Sequence, residues 1–305
     1  MPYISINDDL LHFTDDGVGV PIVFVHGSCG GAGQWKSLAS KLQQNYRTVC
    51  IDLLGSGRSE PWSIERQWSV RDDEMSINAV LDTLAEPVHL IVHSGGGVFS
   101  YPTIQSRRDQ ILSLTMFEPV FFHLLRQNND PNFSEPEQMA KHYRATIDRN
   151  DRDGAMRGFV DAWARNEGAW ASLPDPVRNM MLSGADRLYY EWLTPWLESP
   201  SRADLTELDL PVLLFKGSST IRSMHRVCEI LREALPFCQY IEVNGAGHMC
   251  PFTHADAIAA DIVSHLTGAK RELPDLIHAP AAQTNVLATS VMSQLGQPGK
   301  GSRRA

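Results

Sequence analysis

A serine lies where a buried strand is expected to turn sharply. Ser94 is at the centre of the segment VHSGG (residues 92–96), which directly follows the apolar run 88–91. In the related motif G-x-S-x-G, small flanking residues let a strand bend tightly into a helix, and the serine hydroxyl stands exposed above the sheet. Gly96 fits this motif, whereas Val92 occupies the first small position. The segment therefore indicates a nucleophilic serine, with an ordinary strand-to-helix turn as the alternative.

A serine hydroxyl needs a base before it can attack a carbonyl carbon. A neighbouring imidazole that takes up the hydroxyl proton is the usual solution. His248 ends the glycine-flanked segment GAGH (245–248), which follows the last predicted strand at the same end of the sheet as Ser94. His93 is adjacent to the serine, but its side chain should project differently along the strand, so we expect it to pack or hydrogen-bond locally.

The elements that must position these residues alternate between strands and helices. Apolar runs predict strands at 21–25, 48–52, 88–92, 111–117, 211–215 and 240–243, and an antiparallel hairpin at 3–6 and 10–13. Helices are predicted at 34–43, 71–84, 97–105, 224–234 and 254–266, with start signals at Ser69-x-x-Asp72 and Thr253-x-x-Asp256. This alternation is typical of an α/β fold, with helices on both faces of a mostly parallel sheet.

The alternation stops between about residues 121 and 200, where helical patterns dominate and prolines interrupt the chain. We expect residues 1–119 and 200–268 to form the core, and residues 120–199 to form a helical insertion over one end of the sheet. Segment 269–305 is rich in Pro, Ala, Gln, Ser and Gly. That composition predicts a disordered tail, with at most a short helix at 286–295.

Composition and charge argue against several classes of partner. The 305 residues include 27 Lys and Arg against 36 Asp and Glu, a formal charge of −9, so neither nucleic acid nor an anionic membrane surface is expected as a partner. Five cysteines without C-x-x-C spacing indicate reduced thiols, as in a cytoplasmic protein. There is no signal-like segment and no apolar run near the ~18 residues of a membrane span, so we expect neither export nor anchoring.

Four loops at predicted strand ends together resemble those of the α/β-hydrolase family, in its cap-bearing branch. They are HGSCGG (26–31), DLLGSGRS (52–59), the serine turn and GAGH (245–248). The resemblance runs over residues 3–120 and 200–267. It implies a doubly wound, mostly parallel sheet with a helical cap, and His248 as the base for Ser94. It also implies that backbone N–H groups of Ser28 and Gly95 bind the negative oxygen that develops during attack.

The acidic member of the catalytic triad departs from the commonest family pattern. In many relatives an Asp follows the strand at 211–215, but segment KGSSTI (216–221) contains no carboxylate. Glu118 ends the strand beyond the serine's own strand and helix, and Pro119 should hold it in extended geometry, pointing from the carboxyl end of the sheet. Some family members, including haloalkane dehalogenases, take a Glu from this strand end. Glu118 is the predicted acid, and Asp52 is the alternative.

A serine at the turn favours acyl chemistry, because the epoxide hydrolases and dehalogenases of this fold carry Asp there. We expect a serine hydrolase that forms an acyl-enzyme on a small or medium apolar carboxylic ester. No cofactor or metal is expected, since the chain lacks dinucleotide, phosphate-loop and H-E-x-x-H motifs. The alternatives are cleavage of a carbon–carbon bond beside a ketone, as in meta-cleavage-product hydrolases, and a non-catalytic ligand-binding protein on this scaffold.

Aromatic and methionine side chains concentrate in the predicted cap and at its entry. They would suit the lining of a pocket for an apolar or aromatic substrate, and the alternative is that they form the core of the helical layer. Cys29 and Cys250 flank the two catalytic loops and are expected to be small packing residues. The cap set comprises Phe121, Phe122, Phe159, Trp163, Trp170, Met180, Met181, Tyr189, Tyr190, Trp192 and Trp196.

Overall fold

The computed structural model describes residues 2–62, 65–193 and 200–269. Within these ranges one sheet contains β1 (Tyr3–Ile6), β2 (Asp9–Asp16), β3 (Pro21–Val25), β4 (Arg47–Ile51), β5 (Val88–His93), β6 (Ile111–Phe117), β7 (Val212–Gly217) and β8 (Cys238–Val243). The strand order is β1-β2-β4-β3-β5-β6-β7-β8. β2 pairs antiparallel with both β1 and β4, and the other neighbouring strands run parallel. The mostly parallel sheet predicted from the sequence is confirmed.

Helices fill the connections between the strands. They are α1 (Lys36–Leu42), α2 (Val70–Leu84), α3 (Gly95–Ser106), α4 (His123–Gln127), α5 (Ser134–Ile147), α6 (Arg152–Ala164), α7 (Ala169–Ser172), α8 (Asp175–Ser183), α9 (Ala185–Leu193), α10 (Arg202–Thr206), α11 (Arg222–Ala234), α12 (Cys250–Thr253) and α13 (Ala255–Gly268). Every described element between β6 and β7 is helical. The division into a core and a cap stays a prediction, and the predicted tail from residue 270 onward lies outside the described residues.

Both faces of the sheet are buried, which is why its central strands are apolar at successive positions. Val23 and Val25 of β3 pack in one core cluster with side chains of α2, α3 and α11. Ile22 and Phe24 point to the opposite face and pack in a second cluster with side chains of α1 and α13. Because the parallel strands share one direction, their carboxyl ends meet at one edge of the sheet, where loops can form a site.

Some predicted boundaries are wrong by a few residues. β2 extends to Asp16 rather than ending at residue 13, because its polar residues continue the antiparallel ladder as far as the pair Asp16 and Thr48. The predicted helix start at Ser69 is confirmed, since its side chain and that of Asp72 form a capping box. The predicted start at Thr253 is wrong, because the Thr253 hydroxyl donates back to the Met249 carbonyl and α13 begins after His254.

Candidate active site

Ser94 occupies the turn between β5 and α3. Its backbone has φ 55° and ψ −123°, a conformation that non-glycine residues rarely adopt. Gly96 permits the close approach of the helix to the sheet, because a β-carbon there would lie 2.6 Å from the carbonyl oxygen of Val25. The Ser94 N–H donates to the Phe117 carbonyl at 2.9 Å, which ties the turn to the end of β6. The serine is thus held in a strained turn at the carboxyl edge of the sheet.

Two hydrogen bonds join Ser94, His248 and Glu118 in a line. Ser94 Oγ lies 2.9 Å from Nε2 of His248, and Nδ1 of His248 lies 2.8 Å from Oε2 of Glu118. All three side chains are buried, with Ser94 9% exposed and Glu118 1% exposed. The residues come from the end of β5, the end of β6 and the loop after β8, so the sheet brings together positions that are far apart in the sequence.

Glu118 reaches His248 by a backbone conformation that the sequence did not predict. Its φ is +43°, so the expectation that Pro119 holds it in extended geometry is wrong. The Glu118 carboxylate accepts hydrogen bonds from the Gly217 N–H and from the Thr220 hydroxyl, both at 2.7 Å, in addition to its contact with His248. The hydrogen bonds to these three partners offset the energetic cost of the left-handed backbone conformation, which is unfavourable for a residue with a side chain.

The alternative acid, Asp52, lies in a different network. Its carboxylate accepts from the Ala32 N–H at 2.5 Å and from the Arg58 N–H at 3.1 Å, and it contacts Nδ1 of His12 at 2.8 Å. Within the described part of the chain it makes no hydrogen bond to His248. Asp52 therefore organises the loops that follow β3 and β4.

Ser28 and Gly95 lie beside Ser94, as the resemblance implied. Gly95 packs so closely on Ser28 that a β-carbon added to this glycine would lie 2.9 Å from Oγ of Ser28. Likewise, a β-carbon added to Gly27 would lie 2.8 Å from Cβ of Ser94. The loop that carries Ser28 is anchored by His26, whose Nε2 accepts from the Leu53 N–H at 3.1 Å. Burial lowers the pKa of His26 to about 4, which keeps its ring neutral and able to accept that bond.

Rings on both sides contact the imidazole of His248. The indole of Trp163, from α6, stacks on it with ring centroids 3.8 Å apart and planes 22° apart. His93 lies 4.7 Å away between centroids, and its Nε2–H donates to the His248 carbonyl at 2.9 Å. Burial lowers the pKa of His93 well below its ordinary value, so this ring is neutral. His93 thus packs against His248 and hydrogen-bonds to its backbone, and the Trp163 stack has no signal in the sequence.

Comparison with known proteins identifies the family of this chain. The model of the alpha/beta hydrolase family matches residues 22–261. The chain belongs to the α/β-hydrolase family. Its fold resembles that of an esterase from Exiguobacterium antarcticum, with TM-score 0.71 and 17% identity over 87% of this chain and 99% of the esterase. It also resembles an enol-lactonase from Burkholderia xenovorans LB400, with TM-score 0.68 and 16% identity over 87% of this chain and 100% of the lactonase.

Curated relatives of this α/β hydrolase match it over shorter stretches. A haloalkane dehalogenase from Agrobacterium fabrum is 27% identical over 124 residues, which is 40% of this chain and 40% of the dehalogenase. The chain thus aligns with less than half the length of this relative.

The α/β hydrolase has a largely apolar cavity beside Ser94. Four of the cap residues predicted as lining contribute to it, while Trp196 lies outside the described residues. The sequence did not predict the part played by Trp68, Phe99 or Glu191, because no local pattern distinguishes them. The lining residues are Ser28, Trp68, Ser94, Gly95, Val98, Phe99, Val120, Phe122, Phe159, Trp163, Leu188, Glu191 and Trp192.

The remaining predicted features concern cysteines, metals and membranes. Cys29 and Cys250 are buried free thiols, and burial raises the pKa of both. Among the described residues no group of three or more His, Cys, Asp and Glu side chains is arranged to hold a metal ion. No helix in the described ranges is long and apolar enough to cross a membrane.

Proposed function

We propose that this protein is a serine hydrolase that cleaves a small or medium apolar carboxylic ester through an acyl-enzyme. The observation that carries the proposal is the pair of short contacts from Ser94 to His248 and from His248 to Glu118, at 2.9 and 2.8 Å. A hydroxyl within hydrogen-bond reach of an imidazole, which a buried carboxylate orients, is the arrangement that nucleophilic serine catalysis requires.

The reaction proceeds in two stages. Ser94 Oγ attacks the ester carbonyl while Nε2 of His248 takes the hydroxyl proton, and the same imidazole then gives that proton to the departing alcohol. Water, deprotonated by His248, attacks the acyl-enzyme, and the imidazolium returns the proton to Ser94 Oγ as the carboxylic acid is released. Glu118 holds the imidazole with its Nδ1–H toward the carboxylate. Backbone N–H groups of Ser28 and Gly95 bind the negative oxygen of each tetrahedral intermediate.

The cavity and the relatives support an ester as the substrate. Its walls are mostly aromatic and aliphatic, which suits a substrate with an apolar body. Two proteins of similar fold are an esterase and an enol-lactonase. One curated relative is a haloalkane dehalogenase, but dehalogenases of this fold use Asp at the nucleophile position, whereas this chain has Ser94. Acyl transfer therefore fits these residues better than halide displacement.

Labelling with a fluorophosphonate probe tests the proposal. We expect the wild-type protein to be labelled on Ser94, identified by mass spectrometry of the modified peptide, and to hydrolyse 4-nitrophenyl esters. Ser94→Ala should lose both properties. Ser40→Ala, at an exposed serine of α1, is the matched control and should be labelled as the wild type is. An unlabelled wild-type protein, or equal labelling of Ser94→Ala, would favour a non-catalytic binding protein and overturn the proposal.

A further inference from the structure

A buried arginine on α9 joins three parts of the molecule behind the cavity. Arg187 is 3% exposed and is not among the side chains that line the cavity. Its Nη2 donates to both carboxylate oxygens of Asp73 on α2, each at 2.9 Å, and its Nη1 donates to the Leu54 carbonyl at 2.5 Å. Its Nε donates to Oε1 of Glu191 at 2.7 Å. Because a guanidinium is planar and rigid, these bonds fix the angle at which α9 meets α2 and the loop after β4.

The path of hydrogen bonds continues from Arg187 to the proposed oxyanion donor. Glu191 lies one turn further along α9, and its Oε2 accepts from the Ser28 hydroxyl at 2.5 Å. The backbone N–H of the same serine is the proposed donor to the negative oxygen of the tetrahedral intermediate. Asp73, Arg187, Glu191 and Ser28 are therefore linked in a continuous series from α2 to the loop after β3.

The loop that carries Ser28 is strained at the next residue. Cys29 has φ +55°, a backbone conformation that is unfavourable for a residue with a side chain. The chain just before α9 packs on it, because a β-carbon added to Gly184 would lie 3.3 Å from both Cα and Sγ of Cys29. The α9 segment thus contacts the loop at two successive residues, Ser28 and Cys29. Strained backbone persists only where its surroundings hold it, and α9 supplies part of that restraint.

We propose that Arg187 is a positioning residue for the oxyanion donor: through Glu191 it holds the Ser28 side chain, and with it the direction of the Ser28 N–H. This inference rests on the proposed ester hydrolysis at Ser94. Donors that are fixed before the reaction stabilise the developing charge without having to reorganise. Because that charge is present only in the transition state and the intermediate, loosening the donor lowers kcat and leaves KM nearly unchanged.

Arg187→Lys tests the proposal by steady-state kinetics on a 4-nitrophenyl ester. Lysine keeps the positive charge beside Asp73, but an ammonium cannot reproduce the fork that reaches all three partners. Loss of one oxyanion donor costs roughly 10²- to 10³-fold in kcat, and a displaced donor keeps part of its effect, so we expect kcat to fall about 10- to 100-fold. KM should stay within about threefold of wild type. Arg152→Lys is the matched control, because Arg152 pairs with Asp186 on the same helix at the surface, and it should keep kcat within about twofold.

A transition-state analogue measures the oxyanion site directly. A trifluoromethyl ketone with an apolar body takes up Ser94 Oγ at its carbonyl carbon and forms a tetrahedral adduct with a negative oxygen, while His248 receives the hydroxyl proton. Arg187→Lys should weaken its inhibition by about the same factor as kcat. The corresponding methyl ketone, which binds without forming a stable adduct, should keep its inhibition constant within about threefold. A variant that merely destabilised the fold would not separate the two inhibitors.

A double-mutant cycle with Ser28→Ala shows whether Arg187 acts through Ser28. Ser28→Ala removes the hydroxyl and keeps the backbone N–H, and we expect it to lower kcat about 10- to 100-fold by itself. Adding Arg187→Lys to Ser28→Ala should lower kcat by no more than about a further twofold, because residues in one network are not additive. If Arg187→Lys fails to fold, Glu191→Ala takes its place in the cycle with the same expected result.

Three results would overturn the inference and leave the proposed function standing. The first is a Ser28→Ala variant with the kcat of wild type. The second is a double variant in which the two losses multiply in full, so that Arg187 acts independently of Ser28. The third is a loss confined to KM, which would limit Arg187 to supporting the cavity wall at Phe99, whose ring centroid lies 5.2 Å from the guanidinium carbon. A wild type that is neither labelled nor active on any ester would instead overturn the proposed function, and this inference with it.

Discussion

Glu118 shows how single residues set up the chemistry proposed for this site. Its carboxylate is almost completely buried, and its oxygens accept from a backbone N–H, a hydroxyl and an imidazole. Because an ionised carboxylate can only accept, His248 must turn its Nδ1–H toward Glu118 and leave Nε2 free to accept from the Ser94 hydroxyl. Glu118 therefore determines the tautomer of His248.

Glu118→Gln should lower kcat by about 10²- to 10⁴-fold, because the amide no longer holds that tautomer or stabilises the imidazolium. The melting temperature should change little, since the amide keeps the shape of the side chain and retains an acceptor for Gly217. Steady-state kinetics on a 4-nitrophenyl ester and a thermal melt provide the two measurements. Glu229→Gln on α11, whose carboxylate contacts Arg226 at the surface, serves as the control. Turnover of Glu118→Gln close to wild type would remove Glu118 from the proposed triad.

At the scale of elements, the carboxyl end of α6 contacts His248 and the loop that supports Glu118. Trp163 stacks on His248, and Arg165 donates to the carbonyls of Ser219 and Thr220 at 3.4 and 3.3 Å. The Thr220 hydroxyl in turn donates to Glu118. Helix α6 belongs to the predicted cap, so the position of that segment and the geometry of the proposed catalytic residues are coupled.

Trp163→Leu should lower kcat by about 5- to 30-fold, because the stacked indole stabilises the imidazolium that forms when His248 takes the serine proton, an interaction worth roughly 1–2 kcal/mol. Trp163→Phe keeps an aromatic face and should stay within about threefold of wild type. Rates of ester hydrolysis and of fluorophosphonate labelling measure the effect. Equal rates for the Leu and Phe variants would show that Trp163 only fills space.

At the scale of the whole molecule, neutral histidines are buried in and around the sheet. Burial lowers the pKa of both His26 and His89 to about 4. The ring of His89 is 3% exposed, and its Nδ1 lies 2.8 Å from Oγ of Ser113. In the unfolded chain these rings regain an ordinary pKa near 6.5. The unfolded state therefore binds protons first as the pH falls, which makes the folded state less stable.

We expect the free energy of unfolding to decrease as the pH falls from about 6.5 toward 4, with each of these histidines contributing roughly 2 kcal/mol by pH 5. Asp73 acts in the opposite direction. Burial raises its pKa to about 7 in the folded state, so protonation of Asp73 makes the folded state more stable as the pH falls. Urea unfolding of wild type and of His89→Asn at pH 7.5 and pH 5 measures the effect. The variant should lose about 2 kcal/mol less than wild type between these pH values. Identical losses would contradict the assignment.

The sequence by itself determined the features that depend on neighbouring residues. The apolar run before Ser94 and the glycines after it specify a strand, a sharp turn and a helix, because hydrophobic periodicity and backbone freedom act within a few residues. Ser69 and Asp72 likewise specify the start of α2. Parallel strands end at one edge of the sheet, so the residues that follow each strand, together with the family resemblance, predicted that Ser94, Glu118 and His248 would meet.

Only the tertiary structure decided the features that depend on contacts between distant segments. The left-handed conformation of Glu118 exists because Gly217, Thr220 and His248 converge on its carboxylate, and these partners outweigh the local preference before a proline. The stacking of Trp163 on His248 and the position of Glu191 beside Ser28 depend on how the helices after β6 pack over the sheet. Periodicity indicates that a helix has a buried face, but it does not specify which distant side chains that face will contact.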